Sequence, residues 1–286
     1  MKYGRRSGRS TAEAPEGKEN EMRLYIVRHG ETDWNRLRRL QGRSDIPLNE
    51  NGVKLAEVTG EGLAEVPFDL CIAGPLVRTR QTALCILKRS RAFLQKRQAA
   101  EQAGMEDFHD IGTFLENLHE KPQSGAASFE QTAERSAYGD FPLLSDEGIT
   151  EMNFGSWEGL GCGPENMEIT EPSFRNFFTD PAKVAFPEGA ENLQLVKERT
   201  AGFLERLCTE PAFADKTILI ASHGFAIRAM LNPFYDDSAD FWQGHAPYNC
   251  AVNVLETDAE GKLQLTVRDK IFYDPRLAAT YTDQHR

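Results

Sequence analysis

Short apolar runs alternate along this chain with stretches in which apolar residues recur at helical spacing. Leu24-Tyr25-Ile26-Val27 predicts a first strand over about 23–27. A helix follows from near Asn49, where a capping residue precedes Val53, Leu55, Ala56 and Val58. Leu70-Cys71-Ile72-Ala73 predicts a second strand, ended by Gly74-Pro75. One long helix is then expected from Val77–Thr79 onward, carrying Leu84, Leu87, Phe93 and Leu94. Later come a helix near 190–208, a strand over 217–221, a helix from Phe225 to Leu231 and a strand near 250–256. Asp258-Ala259-Glu260-Gly261 reads as a hairpin turn into Leu263–Val267. Repeated strand–helix alternation predicts an α/β fold: a three-layer α/β/α sandwich with a mostly parallel central sheet and one antiparallel edge strand.

Two regions break the rhythm. Residues 1–21 are rich in Gly, Ser, Glu, Lys and Arg and read as a disordered tail. The remainder, 22–286, reads as one domain, interrupted at about 90–140 by a polar insertion of partly helical character. The insertion holds only scattered apolar residues such as Phe108, Ile111, Phe114, Leu115 and Leu118. A segment this long is a lid or a flexible connection. Its His109 and His119 read as solvated helix residues.

Composition narrows the partners. A formal net charge of −11 over 286 residues argues against nucleic acid or an anionic membrane surface. No apolar run approaches the ~18–20 residues that span a bilayer, and the N-terminus lacks the apolar core of a secretory signal. Cys71, Cys85, Cys162, Cys208 and Cys250 are scattered, without C-x-x-C spacing. They read as reduced thiols of a cytoplasmic protein, with no zinc cluster.

The candidate chemistry sits where strands end. Arg28-His29-Gly30-Glu31-Thr32 follows the first strand, and Ser222-His223-Gly224 follows the run 217–221. In open α/β sheets, ligands bind at the carboxyl ends of strands. A neutral imidazole beside a guanidinium can attack a phosphoryl group that the guanidinium grips. Two such histidines, far apart in sequence, imply one site assembled by the fold.

The set resembles the histidine phosphatase superfamily, the phosphoglycerate mutase-like group. Arg28-His29-Gly30-Glu31-Thr32 with Asn35 carries the first likeness. Gln41-Gly42-Arg43-Ser44-Asp45-Ile46-Pro47-Leu48 with Gly52 resembles the family's Q-G-x-x-D-x-P-L-x-x-x-G segment. Gly74-Pro75-Leu76-Val77-Arg78-Thr79-Arg80-Gln81-Thr82-Ala83 resembles S-P-L-x-R-A-x-Q-T-A. Residues 151–159 resemble E-M-x-F-G-x-W-E-G, and His223 with Arg228 resembles S-H-G-x-x-x-R.

The resemblance implies His29 as nucleophile, with one ring nitrogen held as a donor by a nearby backbone carbonyl. It implies Arg28, Arg78, Asn35 and His223 as phosphate ligands, His223 either neutral or as imidazolium. It selects Glu151 over Glu31, Glu147 and Glu158 as general acid and base. Gln41, Gly42 and Gly224 are expected on the substrate side, and Trp157 beneath the loop. No metal or other cofactor is implied, and the partner is a small phosphorylated metabolite; oligomeric state is left open. Two departures are the small-residue replacements Gly74 and Thr79, and the gap from Arg78 to Glu151 is longer than the family's usual one.

Within the family, three features favour hydrolysis over mutase-type transfer. Gln41 stands where the mutases carry a small hydroxyl residue. The stretch 160–190 holds only Arg175 and Lys183 as cations and lacks the mutases' adjacent arginine pair. The Glu151 segment is not the mutases' E-R-H-Y-G. A mutase and a non-catalytic phospho-ligand-binding module are the alternative readings.

Overall fold

A computed structural model describes residues 21–102 and 143–278. The tail reading of 1–21 falls outside these, apart from Glu21, as does most of the insertion, with His109 and His119. Six strands form one sheet: β1 (Arg23–Arg28), β2 (Leu70–Ala73), β3 (Leu143–Ser145), β4 (Thr217–Ser222), β5 (Val252–Thr257) and β6 (Leu263–Lys270). Their order is β3-β2-β4-β1-β5-β6. β1 pairs in parallel with β4, and β2 in parallel with β3 and β4. β5 runs antiparallel to β1, and β6 antiparallel to β5. The antiparallel edge thus consists of the expected hairpin as a pair.

Period-two alternation sends side chains to both faces of the sheet. Leu24 and Ile26 of β1 join Ile72, Ile218 and Ile220 on one face. There they pack against Phe203, Leu204 and Leu207 of α5 (Leu193–Thr209) and Ile227, Met230 and Leu231 of α6 (Gly224–Leu231). Val27, Cys71, Ala73, Leu219 and Ala221 point the other way, toward α2 (Glu50–Gly62) and α3 (Val77–Leu87), which bury Leu63, Leu84, Ile86 and Leu87. A short helix, α1, spans Asp33–Arg36. Asn49 caps α2 by accepting from the Gly52 N–H at 2.8 Å, as the sequence suggests.

Two sequence expectations change. The long helix after Val77 is two helices, α3 and α4 (Arg91–Gln102). Ser90 divides them: its N–H bonds the Leu87 carbonyl, and its own carbonyl accepts from Leu94 N–H. The break turns Phe93 back into the α2–α3 core, where it is buried. The edge strand β3 was not foreseen, because three residues carry too little pattern to show a period. A third apolar cluster joins Phe154, Trp157, Phe174, Phe177, Phe225 and Trp242, with Trp157 buried under its loop. Among the described residues, no helix is long and apolar enough to cross a membrane.

Candidate active site

Parallel register assembles the site. Arg28 pairs with Ser222 across β1 and β4. The next residue on each strand is therefore a histidine, and the His29 and His223 ring centroids lie 5.2 Å apart. Gly30 follows with its amide donating to Thr82 Oγ1 at 2.8 Å. A Cβ on Gly30 would stand 2.6 Å from the Gly52 carbonyl oxygen, so this close crossing with α2 excludes any side chain.

His29 is buried, and its Nδ1 lies 2.7 Å from the Gly30 carbonyl oxygen. Burial first, then the positive charges of Arg78 and Arg28, hold its pKa well below the ordinary value of 6.5. The ring is neutral at pH 7. Because a carbonyl only accepts, the single proton is on Nδ1, and Nε2 keeps its lone pair. His223 is fully buried, and among the described residues neither ring nitrogen has a hydrogen-bond partner. Burial, then Arg78, keeps it neutral as well, so the imidazolium considered from sequence is disfavoured in the free protein. Gly74 leaves the room His223 occupies, since a Cβ there would lie 3.2 Å from His223 Nε2.

Arg78 stands in the first turn of α3. That helix lacks a cap of its own, and the Val77 N–H donates instead to Asp45 Oδ1 at 2.7 Å. The guanidinium is fully buried and donates to the Ser44 and Gly42 carbonyls at 2.8 and 2.6 Å. Burial lowers its pKa to about 10, so it stays charged at neutral pH. The loop that receives it is pinned by Glu158, which accepts from the Arg43 and Ser44 amides, each at 2.8 Å, and from Ser44 Oγ at 2.6 Å. Gly42 serves this clamp: a Cβ there would sit 2.2 Å from Glu158 Oε1. Arg28 is steered by a hydrogen bond to the Pro247 carbonyl.

Asn35 is both a cap and a cleft residue. Its Oδ1 accepts from Thr32 N–H at 3.1 Å and from Asn249 Nδ2 at 3.3 Å, which leaves its amide donors for a ligand. Gln41 reaches Thr32 Oγ1 through Nε2 at 3.0 Å, and both Gln41 and Gly224 line the cleft.

Glu151 sits on the N-terminus of α6. It accepts from the Phe225, Ala226 and Met152 amides at 3.1, 3.0 and 2.9 Å. Burial raises its pKa above 4.5, and these three bonds with Arg78 oppose the rise. The other glutamates are occupied elsewhere: Glu31 accepts from Asn49, Glu147 from Thr150, and Glu158 holds its loop. Of the four, Glu151 is the one that lines the cleft.

The cleft, about 550 Å³ with the solvent at its mouth, is lined at its polar end by Arg28, His29, Asn35 and Glu151. Arg78 and His223 lie buried beside His29. Farther out the lining is largely apolar, including Phe177, Phe178 and Trp242, none of which was singled out from sequence. Sequence reasoning also missed Asn249, which donates to the His29 carbonyl at 3.0 Å as well as to Asn35. Its own carbonyl accepts from the Tyr273 hydroxyl. A polar residue just before the apolar run of β5 was the only hint. Among the described residues, no group of three or more His, Cys, Asp or Glu could hold a metal ion.

Comparison with known proteins identifies the family. The model of the histidine phosphatase superfamily (branch 1) matches residues 24–136 and 124–270. The chain is 27% identical over 222 residues to phosphoserine phosphatase 1 of Hydrogenobacter thermophilus, covering 77% of this chain and 80% of that one. It is 24% identical to 2,3-bisphosphoglycerate-dependent phosphoglycerate mutase 1 of Arabidopsis thaliana, over 75% of this chain and 58% of that one. The solved structure of Bacillus stearothermophilus YhfR shares the fold, with a TM-score of 0.62 and 23% identity over 87% of this chain and 97% of that one.

Proposed function

The chain belongs to the histidine phosphatase superfamily, and from that premise we propose that it is a metal-independent phosphomonoesterase working through a phosphohistidine on His29. The observation that carries this reading is the His29 ring, neutral and tautomerically fixed by the Gly30 carbonyl, beside two arginines.

In the first half-reaction the His29 Nε2 lone pair forms a bond to phosphorus as the ester P–O bond breaks. Glu151 gives its proton to the leaving oxygen. Arg28, Arg78, His223 and Asn35 hold the non-bridging oxygens as charge spreads over them. In the second half-reaction a water oxygen bonds to phosphorus as the P–N bond breaks. The Glu151 carboxylate takes the water's proton and returns to its acid form, and inorganic phosphate leaves. The raised Glu151 pKa favours the acid that the first step needs.

Hydrolysis is favoured over transfer between hydroxyls. The stretch 152–190 gives the cleft Phe154, Cys162, Phe177 and Phe178, none of them cationic, so the region where the mutases carry their arginine pair supplies no charge to hold a second phosphate.

The test is phosphate release from a panel of phosphorylated metabolites in excess chelator, for wild type beside His29→Ala. Release by wild type alone is expected. Interconversion of phosphoglycerates without net release would reassign the chain to the mutases, and equal release by both proteins would remove His29 as nucleophile.

A further inference from the structure

The wall of the cleft beyond the phosphate end is built from Leu40, Phe154, Phe177, Phe178, Phe225 and Trp242. These residues come from five separate stretches of chain and meet in the lining of one cavity. The rings brace one another. Phe177 and Phe178 meet edge to face at 4.9 Å, and Phe177 lies 5.6 Å from Trp242 and 5.7 Å from Phe154. The one strong donor among these side chains, the indole N–H of Trp242, is spent on the Phe177 carbonyl at 2.6 Å. What these side chains offer a ligand is carbon surface.

Of the described residues that line the cleft, two are cationic: Arg28 beside His29, and Arg39. Arg39 donates to the Gly159 carbonyl and lies 3.4 Å from Glu168 Oε2. A second anionic group on a substrate would have to compete with that carboxylate. It would also lose water against aromatic rings, and burying a charge without a partner is strongly unfavourable. An apolar group gains there instead, at about 25 cal/mol per Å² removed from water.

We infer that the preferred substrate is a phosphate monoester of an apolar, aromatic-bearing alcohol, and not of a small hydroxy acid or polyol. This rests on the phosphatase reading above and names the substrate class of that same cleft. The rings receive the alcohol moiety while the phosphoryl group reaches His29, so discrimination comes from the leaving group's shape and polarity.

The experiment compares benzyl phosphate, sn-glycerol 3-phosphate and phosphoserine as substrates of the full chain. All three leave as aliphatic alcohols, so demand on Glu151 is similar and differences report the wall. We expect kcat/KM for benzyl phosphate to exceed the other two by about tenfold or more, in line with apolar-pocket discrimination. Phe178→Ala, at the half-buried rim of the wall, should shrink that ratio by about threefold or more, and Phe178→Leu should shrink it less. Comparable rates on all three, or preference for phosphoserine or glycerol phosphate, overturn this inference and leave the phosphatase reading intact. No phosphate release from any of them overturns the phosphatase reading and the inference with it. The wild-type ratio decides the matter even if a variant fails to fold.

Discussion

The two ends of the cleft are built in opposite ways. At the phosphate end, polar side chains from strand ends, a helix start and a loop converge, and backbone groups hold them: Gly30 for His29, Gly42 and Ser44 for Arg78, the α6 amides for Glu151. At the outer end, aromatic rings from remote stretches pack edge to face, with one indole bond among them. The first end is pre-organised and polar, and it suits one chemical group. The second is apolar and continuous with a core cluster, so it shapes selectivity and contributes to stability together. A lesion at the phosphate end should therefore cost rate, and a lesion in the wall should cost folding and discrimination.

The most severe test of that division is His29→Ala. We expect turnover to fall by at least about 10⁴-fold, as for other essential nucleophiles, with circular dichroism and the unfolding midpoint near those of wild type. A variant that keeps near-normal turnover, or one that unfolds, would dissolve the contrast between the ends. Next in size is Glu151→Gln, with an expected loss of about 10²–10⁴-fold on alkyl phosphates. The loss should be much smaller on p-nitrophenyl phosphate, whose leaving group needs little protonation; equal losses on both would count against the acid role.

The same variant sharpens the pH argument. The first step needs neutral His29 and protonated Glu151. His29 has its pKa lowered well below 6.5 by burial and the two arginines, so it is ready at neutral pH. Glu151 has its pKa raised above 4.5 by burial, so kcat/KM on alkyl phosphates should fall as pH climbs through that value. In Glu151→Gln this alkaline limb should vanish. If it persists unchanged, another group supplies the proton.

In the wall, Phe177→Ala should destabilise the fold by about 3–5 kcal/mol, measured by denaturant unfolding, because Phe177 is only 4% exposed. A loss under about 1 kcal/mol would mean that the wall relaxes around the gap and is not part of the core. The smallest effect is expected where polar bracing meets the nucleophile. Asn249→Ala removes donors to the His29 carbonyl and to Asn35. A loss of one or two such bonds, at about 1 kcal/mol each, predicts roughly a tenfold drop in kcat/KM, with Asn249→Asp failing to restore it. Unchanged kinetics would assign Asn249 to the fold alone.

Much of this protein is legible in its residues. The period-two runs determine the strands, because alternate side chains must face opposite layers, and Asn49 marks the start of α2 because it can cap it. The charged residues of the phosphate end are legible because each sits beside a strand end or a helix start, in motifs too polar to be core. Other features were settled only in three dimensions. That His29 and His223 meet depends on the parallel register of β1 and β4, which no local pattern specifies. That Glu151 is the carboxylate at the cleft depends on the amides of α6, a helix far along the chain, while Glu158 of the same segment turns away to clamp a loop. Gly42 also takes part in that clamp, because its lack of a side chain lets Glu158 approach. The aromatic wall was invisible for the same reason. Scattered Phe and Trp residues read as ordinary core until tertiary packing brings them to the lining of a cavity, since burial is nondirectional and only the assembled fold decides which apolar side chains border open space.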